Sequence, residues 1–341
     1  MKAKSKEKRI KLLKEILLNN KNQINLNSIN DVIRFDILSD ILKNQSSKRK
    51  KPIIKKYLNN EIIKKTLIWI HEEICDENKK RQTFGPGTFV GVQGKLNCII
   101  LTKHFIENKL RWSIADVVNK INYNILYTHK LRCTKVCFRH IYNLVMECYP
   151  DANLKPYYFK KASHVWYDEK GRKKYPLIKE AIREFISILT DSRGKYKYKF
   201  KRLPQWINYK MFRKPVLPYE KNLSYMLSYC FGNSHIKAIM FAYPELNLKP
   251  YYFSNVPNNY WSGKDGMKHA KEVMNELINT LTNPKGEYKM TKEEVVKIFK
   301  FKTYGKPILP YRKTMRGMLQ TLFKNSPSAP FKLLMEDKKR I

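Results

Sequence analysis

Three clusters of side chains in this chain have types and spacings that chemistry could use. Cys133, Cys137 and His140, with Cys148 beyond, are spaced as zinc ligands can be. Pro150-Asp151 followed by Asp168-Glu169-Lys170 formally matches the PD…(D/E)xK pattern of many nucleases, whose carboxylates hold Mg²⁺ beside a lysine. Residues 85–95, GPGTFVGVQGK, hold four of the chain's twelve glycines and end in Gly-Lys, as phosphate loops do.

The chain supplies its own control on these clusters, because it repeats. YPDANLKPYYF at 149–159 returns as YPELNLKPYYF at 243–253, 94 residues later. Trp166 answers to Trp261 at an offset of 95, while KPVLPY at 214–219 returns as KPILPY at 306–311, 92 later. LTDSRGKYK from Leu189 matches LTNPKGEYK from Leu281 at the same 92. Nearly constant spacing across four anchors means a repeated unit of about 93 residues.

Against that control the chemistry recedes. At an offset of 94 the Cys/His positions become Leu227, Phe231, Ser234 and Ala242; positions that accept Leu and Phe read as core, and a free Cys is itself a small buried hydrophobe. The second copy of the nuclease pattern reads Pro244-Glu245, then Gly263-Lys264-Asp265, and no longer matches. In the glycine stretch Phe89 stands where a phosphate loop needs its first glycine, and Leu96 where it needs Ser or Thr. That stretch reads as a flexible insertion. The expectation is a protein without catalytic residues, metal or cofactor.

Charge is the second signal. Lys and Arg total 69 against 29 acids in 341 residues, a net of +40. A coding bias toward Lys, Asn, Ile and Tyr would also supply Glu, yet acids are scarce. A folded chain this basic repels itself unless a polyanion is near. No apolar run approaches a membrane span, the N-terminus lacks the apolar core of a signal peptide, and six irregularly spaced cysteines fit reduced thiols. The expected setting is cytoplasmic and nucleoid-associated, with no membrane partner.

The elements that position these residues read as all-α. A basic N-terminal arm or degenerate unit spans 1–60, and three four-helix modules with a helix-turn-helix-like outline span 61–160, 161–255 and 256–341. The stripe Ile178, Ala181, Ile182, Phe185, Ile186, Leu189 recurs 92 residues later as Ala270, Val273, Met274, Leu277, Ile278, Leu281. Both follow helical spacing, and both read as core. A turn follows (Arg193-Gly194; Lys285-Gly286), then a short second helix. Ser113 with Asp116, and Thr291 with Glu294, read as capping boxes. The second proline of KPxLPY sits where a third helix would begin, giving helices over 219–231 and 311–323. A fourth helix closes each unit.

The third helix is the expected reader of DNA, since one helix of such a unit enters the major groove. Its candidate contacts are Lys130, Arg132 and Lys135 in the first module, and Arg213, Lys214, Lys221, Asn222 and Tyr225 in the second. The third module offers Lys306, Arg312, Lys313 and Arg316, with 312, 313 and 316 expected on one helix face. Arg pairs with guanine and Asn with adenine. Phosphate contact alone, or a solvated face, would leave the same residues exposed. Lys50 and Lys51 in the N-terminal run are expected to touch phosphate regardless of sequence. The connectors Tyr157-Tyr158-Phe159 and Tyr251-Tyr252-Phe253 read as packing between modules, the alternative being a stack for unpaired bases.

Through YPxxNLKPYYF and the tryptophan that follows, the modules resemble a family of repeated helical domains from bacteria, phages and large viruses, without assigned function. The resemblance covers 150–341 best. It implies a phage or mobile-element setting and supplies no catalytic residue. Taken together, the residues point to a non-enzymatic, sequence-specific regulator of transcription or replication on double-stranded DNA. An RNA or single-stranded nucleic-acid binder is the runner-up, and a nuclease or recombinase the third reading.

Overall fold

The computed structural model describes residues 61–78, 83–160, 163–257, 259–298 and 300–332. Among them the chain is helical, with isolated bridges in place of strands. No helix is long and apolar enough to cross a membrane. The chain divides into two compact units, Met1–Ala162 and Ser163–Ile341.

In the first unit the helices are α1 (Glu61–Cys75), α2 (Gly91–His104), α3 (Ile114–Lys120), α4 (Tyr123–Thr128), α5 (Cys133–Cys137) and α6 (Ile141–Cys148). A π-helical turn, Phe105–Leu110, extends α2. Most of α2 is apolar on every side, with Leu96, Cys98, Ile99, Ile100 and Leu101 all buried, so it forms the centre of the unit. Around it pack α1, α5 and α6. The box Ser113–Asp116 caps α3, and the Lys120 ammonium, then Ser113, hold the Asp116 carboxyl down to about 2.

The last five residues of the stretch 85–95 begin α2. Gly91 (φ +65°) opens α2, and a Cβ on Gly94 would sit 2.1 Å from the Phe89 carbonyl carbon. The same F/W-x-G-x-x-G start recurs in the second unit as Trp261-Ser262-Gly263-Lys264-Asp265-Gly266. There Gly263 also has φ +65°, and a Gly266 Cβ would meet the Trp261 carbonyl carbon at 2.4 Å.

The second unit holds α7 (Tyr175–Thr190), α8 (Leu203–Trp206), α9 (Ser224–Phe231), α10 (His235–Ala242), α11 (Gly263–Thr282), α12 (Lys292–Ile298), α13 (Phe301–Tyr304) and α14 (Arg316–Phe323). The expected stripe of α7 is buried throughout, and that of α11 except for half-buried Ile278. Phe185 stacks on Phe212 at 5.1 Å between centroids. Backbone bonds repeat along with the residues. Tyr198 N donates to Leu189 O at 2.9 Å, and 92 residues on Met290 N donates to Leu281 O at 2.9 Å. Leu223 N to Phe212 O at 3.0 Å returns as Met315 N to Tyr304 O at 2.9 Å.

The third helices start later than expected, at Ser224 and Arg316 rather than at 219 and 311. The intervening residues fold into a tight turn, because Pro218 and Pro310 begin a single 3-10 turn and not an α-helix. Residues 329–332 are helical; the rest of the expected last helix lies outside the described residues.

Candidate nucleic-acid interface

Each KPxLPY segment ends in a strained corner. Tyr219 and Glu220 both have φ +59°, and Tyr311 and Arg312 have φ +57° and +54°. Two successive positive φ values are the mark of a type I′ turn, which normally recruits Asn or Gly. For L-residues this costs roughly 1–2 kcal/mol each. Antiparallel bridges Leu217–Lys221 and Leu309–Lys313 close the two corners. The Tyr311 carbonyl accepts from the Gln205 amide, and the Tyr311 ring lies 5.3 Å from that of Tyr252. The tip residue is exposed in both copies but opposite in charge, Glu220 in one and Arg312 in the other.

This geometry separates residues expected to share a helix face. Arg312 is at the corner's tip and Arg316 opens α14, both exposed, while Lys313 is half-buried between them. Its ammonium donates to the Ser254 carbonyl at 3.2 Å, and burial lowers its pKa. Lys221 occupies the same bridge position and is also half-buried. The Asn222 side-chain oxygen accepts from the Ser224 amide (3.1 Å) and hydroxyl (2.7 Å), so it closes the turn into α9. Exposed Tyr225 stacks on Tyr229 at 4.1 Å. The sequence of α9, SYMLSYCF, carries no cation. The third helix of the second repeat therefore presents no cation of its own.

Other expected contacts remain on the surface. Exposed Arg213 lays its guanidinium 4.4 Å from the Tyr209 ring centroid. Lys214 and Lys306 are exposed and held alike, Val216 N donating to Lys214 O (2.9 Å) and Ile308 N to Lys306 O (3.0 Å). In the first unit Lys130 (φ +61°) and Arg132 are brought together at a cleft of about 610 Å³, also lined by Phe84, Phe89, Tyr127 and Val136. Arg132 lies 5.8 Å from the Tyr127 ring centroid. Lys135 is exposed on α5 and does not line this cleft. Lys50 and Lys51 lie outside the described residues.

The aromatic connectors do not offer their faces to bases. Tyr157, Tyr158, Phe159, Tyr251, Tyr252 and Phe253 are all buried. Tyr251 and Tyr252 donate their hydroxyls to opposite oxygens of Glu276 on α11, which also pairs with Lys249 at 3.1 Å. Burial first, then the Glu276 hydrogen bond, raises both phenol pKa values.

The chemical lookalikes have structural partners. Asp168 accepts from the Lys170 and Arg172 amides at 2.9 Å and pairs with the Arg172 guanidinium at 2.7 Å, so it organises a turn. Buried Cys148 donates to Ile99 O at 3.7 Å, and His140 stacks on Tyr142 at 5.1 Å. Among the described residues no three His, Cys, Asp or Glu side chains converge as metal ligands do.

In the stretch between Asp191 and Glu220 the sequence pointed to Arg213 and Lys214 as contacts, but not to the cations from Arg193 to Lys210. The stretch's 28 residues hold nine cations and no acid. The signal is the alternation KYKYKFKR at 195–202, which lies off the helix faces.

Comparison with known proteins adds one match. Residues 67–154, less than half of the chain, match a family described as a protein of unknown function (DUF4046). No curated protein and no solved structure matches.

Proposed function

We propose that this chain is a non-enzymatic nucleic-acid-binding protein whose ligand is duplex DNA, built from tandem four-helix repeats of which the second and third each open a KPxLPY corner with an exposed lysine. The observation that carries this reading is the pair Lys214 and Lys306. They are exposed, set in the same backbone bond 92 residues apart, and among the described residues neither has a carboxylate partner. Together with a net charge of +40, unpaired cations at equivalent places favour a polyanion with a repeating charge. Arg213, Arg312 and Arg316 are further exposed cations in the same segments. A role in transcription or replication is the corresponding proposal for process.

The exposed Tyr225–Tyr229 stack favours a second reading, in which a single strand lays an unpaired base on α9. A gel-shift panel of duplex DNA, single-stranded DNA and duplex RNA at two salt concentrations separates the two. Duplex binding is expected to fall with salt at a logarithmic slope steeper than about −5, each neutralised phosphate contributing roughly −0.9. A nearly salt-independent association would overturn the proposal in favour of a protein partner.

A further inference from the structure

Residues 193–202 form a strip whose backbone is fixed and whose cations, among the described residues, have no carboxylate partner. Tyr198 N bonds to Leu189 O at 2.9 Å, tying the strip to the end of α7. The Tyr198 ring stacks on Trp206 at 4.6 Å and 17°, and the Trp206 indole donates to Lys199 O at 3.0 Å. Phe200 sets its edge against Tyr243 at 5.4 Å. Between these anchors Arg193, Lys195, Lys197, Lys199, Lys201 and Arg202 are all exposed. Elsewhere in this unit Arg172, Arg183 and Lys249 are each paired with a carboxylate. Among the described residues none of the six strip cations is.

The third repeat shows that the turn does not need this charge. Ninety-two residues on, Met290 N bonds to Leu281 O at 2.9 Å, and Lys289 (φ +49°) matches Lys197 (φ +54°). There Lys195, Lys199, Lys201 and Arg202 become Glu287, Thr291, Glu293 and Glu294. Net charge is +6 over 193–202, from six cations and no acid, and zero over 285–294, from three lysines and three glutamates. The shared turn thus carries two charge states, and beyond it 200–202 is a 3-10 turn where Lys292–Ile298 is an α-helix.

We infer that the 193–202 strip is a sequence-independent dock for the sugar-phosphate backbone of a nucleic acid, carried by the second repeat and not by the third. This rests on the nucleic-acid reading above and says where its electrostatic part resides. Crowding six like charges on a fixed loop raises the folded state's energy until phosphates neutralise them. Because the backbone is already ordered, binding immobilises side chains only.

The sister repeat supplies the test. K195E, K199T, K201E and R202E together place in the second repeat the residues that the third repeat carries at the equivalent positions, and folding is checked by circular dichroism and thermal melting. On random duplex DNA the salt slope is expected to flatten by about 2–4 and low-salt affinity to fall on the order of 100-fold. The reverse exchange, E287K with T291K, E293K and E294R, is expected to steepen the slope and reports even if the first variant unfolds. Unchanged slopes in folded variants, while the wild type still binds DNA, would overturn the strip and leave the nucleic-acid reading standing. A wild type that binds neither duplex nor single strands would overturn both. So would strip-dependent binding to phosphatidylserine vesicles without binding to DNA.

Discussion

The ammonium of Lys313 donates to the backbone carbonyl of Ser254 across 3.2 Å, joining the KPxLPY corner of the third repeat to the connector that ends the second. A lysine expected to face a DNA groove is thus a fastening within the protein. Lys313→Ala is expected to lower unfolding free energy by about 1–2 kcal/mol, a charged donor's share, and to leave DNA affinity within twofold. Arg312→Ala and Arg316→Ala should do the reverse, costing affinity with little change in stability. If either is a base contact, a preferred duplex loses about 1–3 kcal/mol more than a random one. Urea unfolding and a competition assay on both duplexes check the split.

Glu276 serves two phenols and an ammonium at once. Glu276→Ala strands the hydroxyls of Tyr251 and Tyr252 in a buried place, and is expected to cost about 2–4 kcal/mol. Glu276→Gln keeps an acceptor and should cost less than half of that. The comparison is made by chemical denaturation, and equal losses would mean that the carboxylate's charge alone matters.

Stability should decline in mild acid. Burial lowers the pKa of His71 against the opposing hydrogen bond to the His129 carbonyl, with His104, Glu72 and His129 nearby, and burial also lowers that of His235. Each imidazole folds neutral, so the unfolded chain takes up protons first. Stability is full above about pH 6.5 and falls as pH drops from there toward the depressed folded values, by up to about 1.4 kcal/mol per pH unit per group. His71→Gln should flatten a melting-temperature profile between pH 5 and 7.

Two glycines should answer oppositely to one methyl group. A Cβ on Gly266 would meet the Trp261 carbonyl carbon at 2.4 Å, so Gly266→Ala is expected to lose about 1–3 kcal/mol. Gly317, inside α14, has nothing within 4 Å of an added Cβ, and Gly317→Ala should gain about 0.5–1 kcal/mol. Thermal melts of the two variants settle the sign.

These contrasts mark what the sequence made legible. The helix stripes were readable because Ile178 to Leu189 and Ala270 to Leu281 keep helical spacing in both copies. The capping boxes were readable because Ser113 and Thr291 are followed three residues on by acids. The strained corner was not, since Tyr219 and Tyr311 are poor candidates for positive φ and only their fixed surroundings impose it. Pro218 and Pro310 look like a helix's first residue, and nothing in PYEKN or PYRKT announces a break before Ser224 and Arg316. Gly91 and Gly94 passed for a loosely built loop because their partners, Gly263 and Gly266, lie 172 residues away, outside the spacing of the other anchors.

The joint at Glu276 also has a kinetic meaning. With Lys249, Tyr251 and Tyr252 all fastened to one carboxylate, the second and third repeats meet without a loose tether between them. For any ligand long enough to touch Lys214 and Lys306 together, the second contact is then an intramolecular event at high effective concentration. Loosening the joint would dilute that second contact without removing a single cation. Residence time on a long ligand would shorten, while binding to a fragment that reaches only one corner would stay as it was.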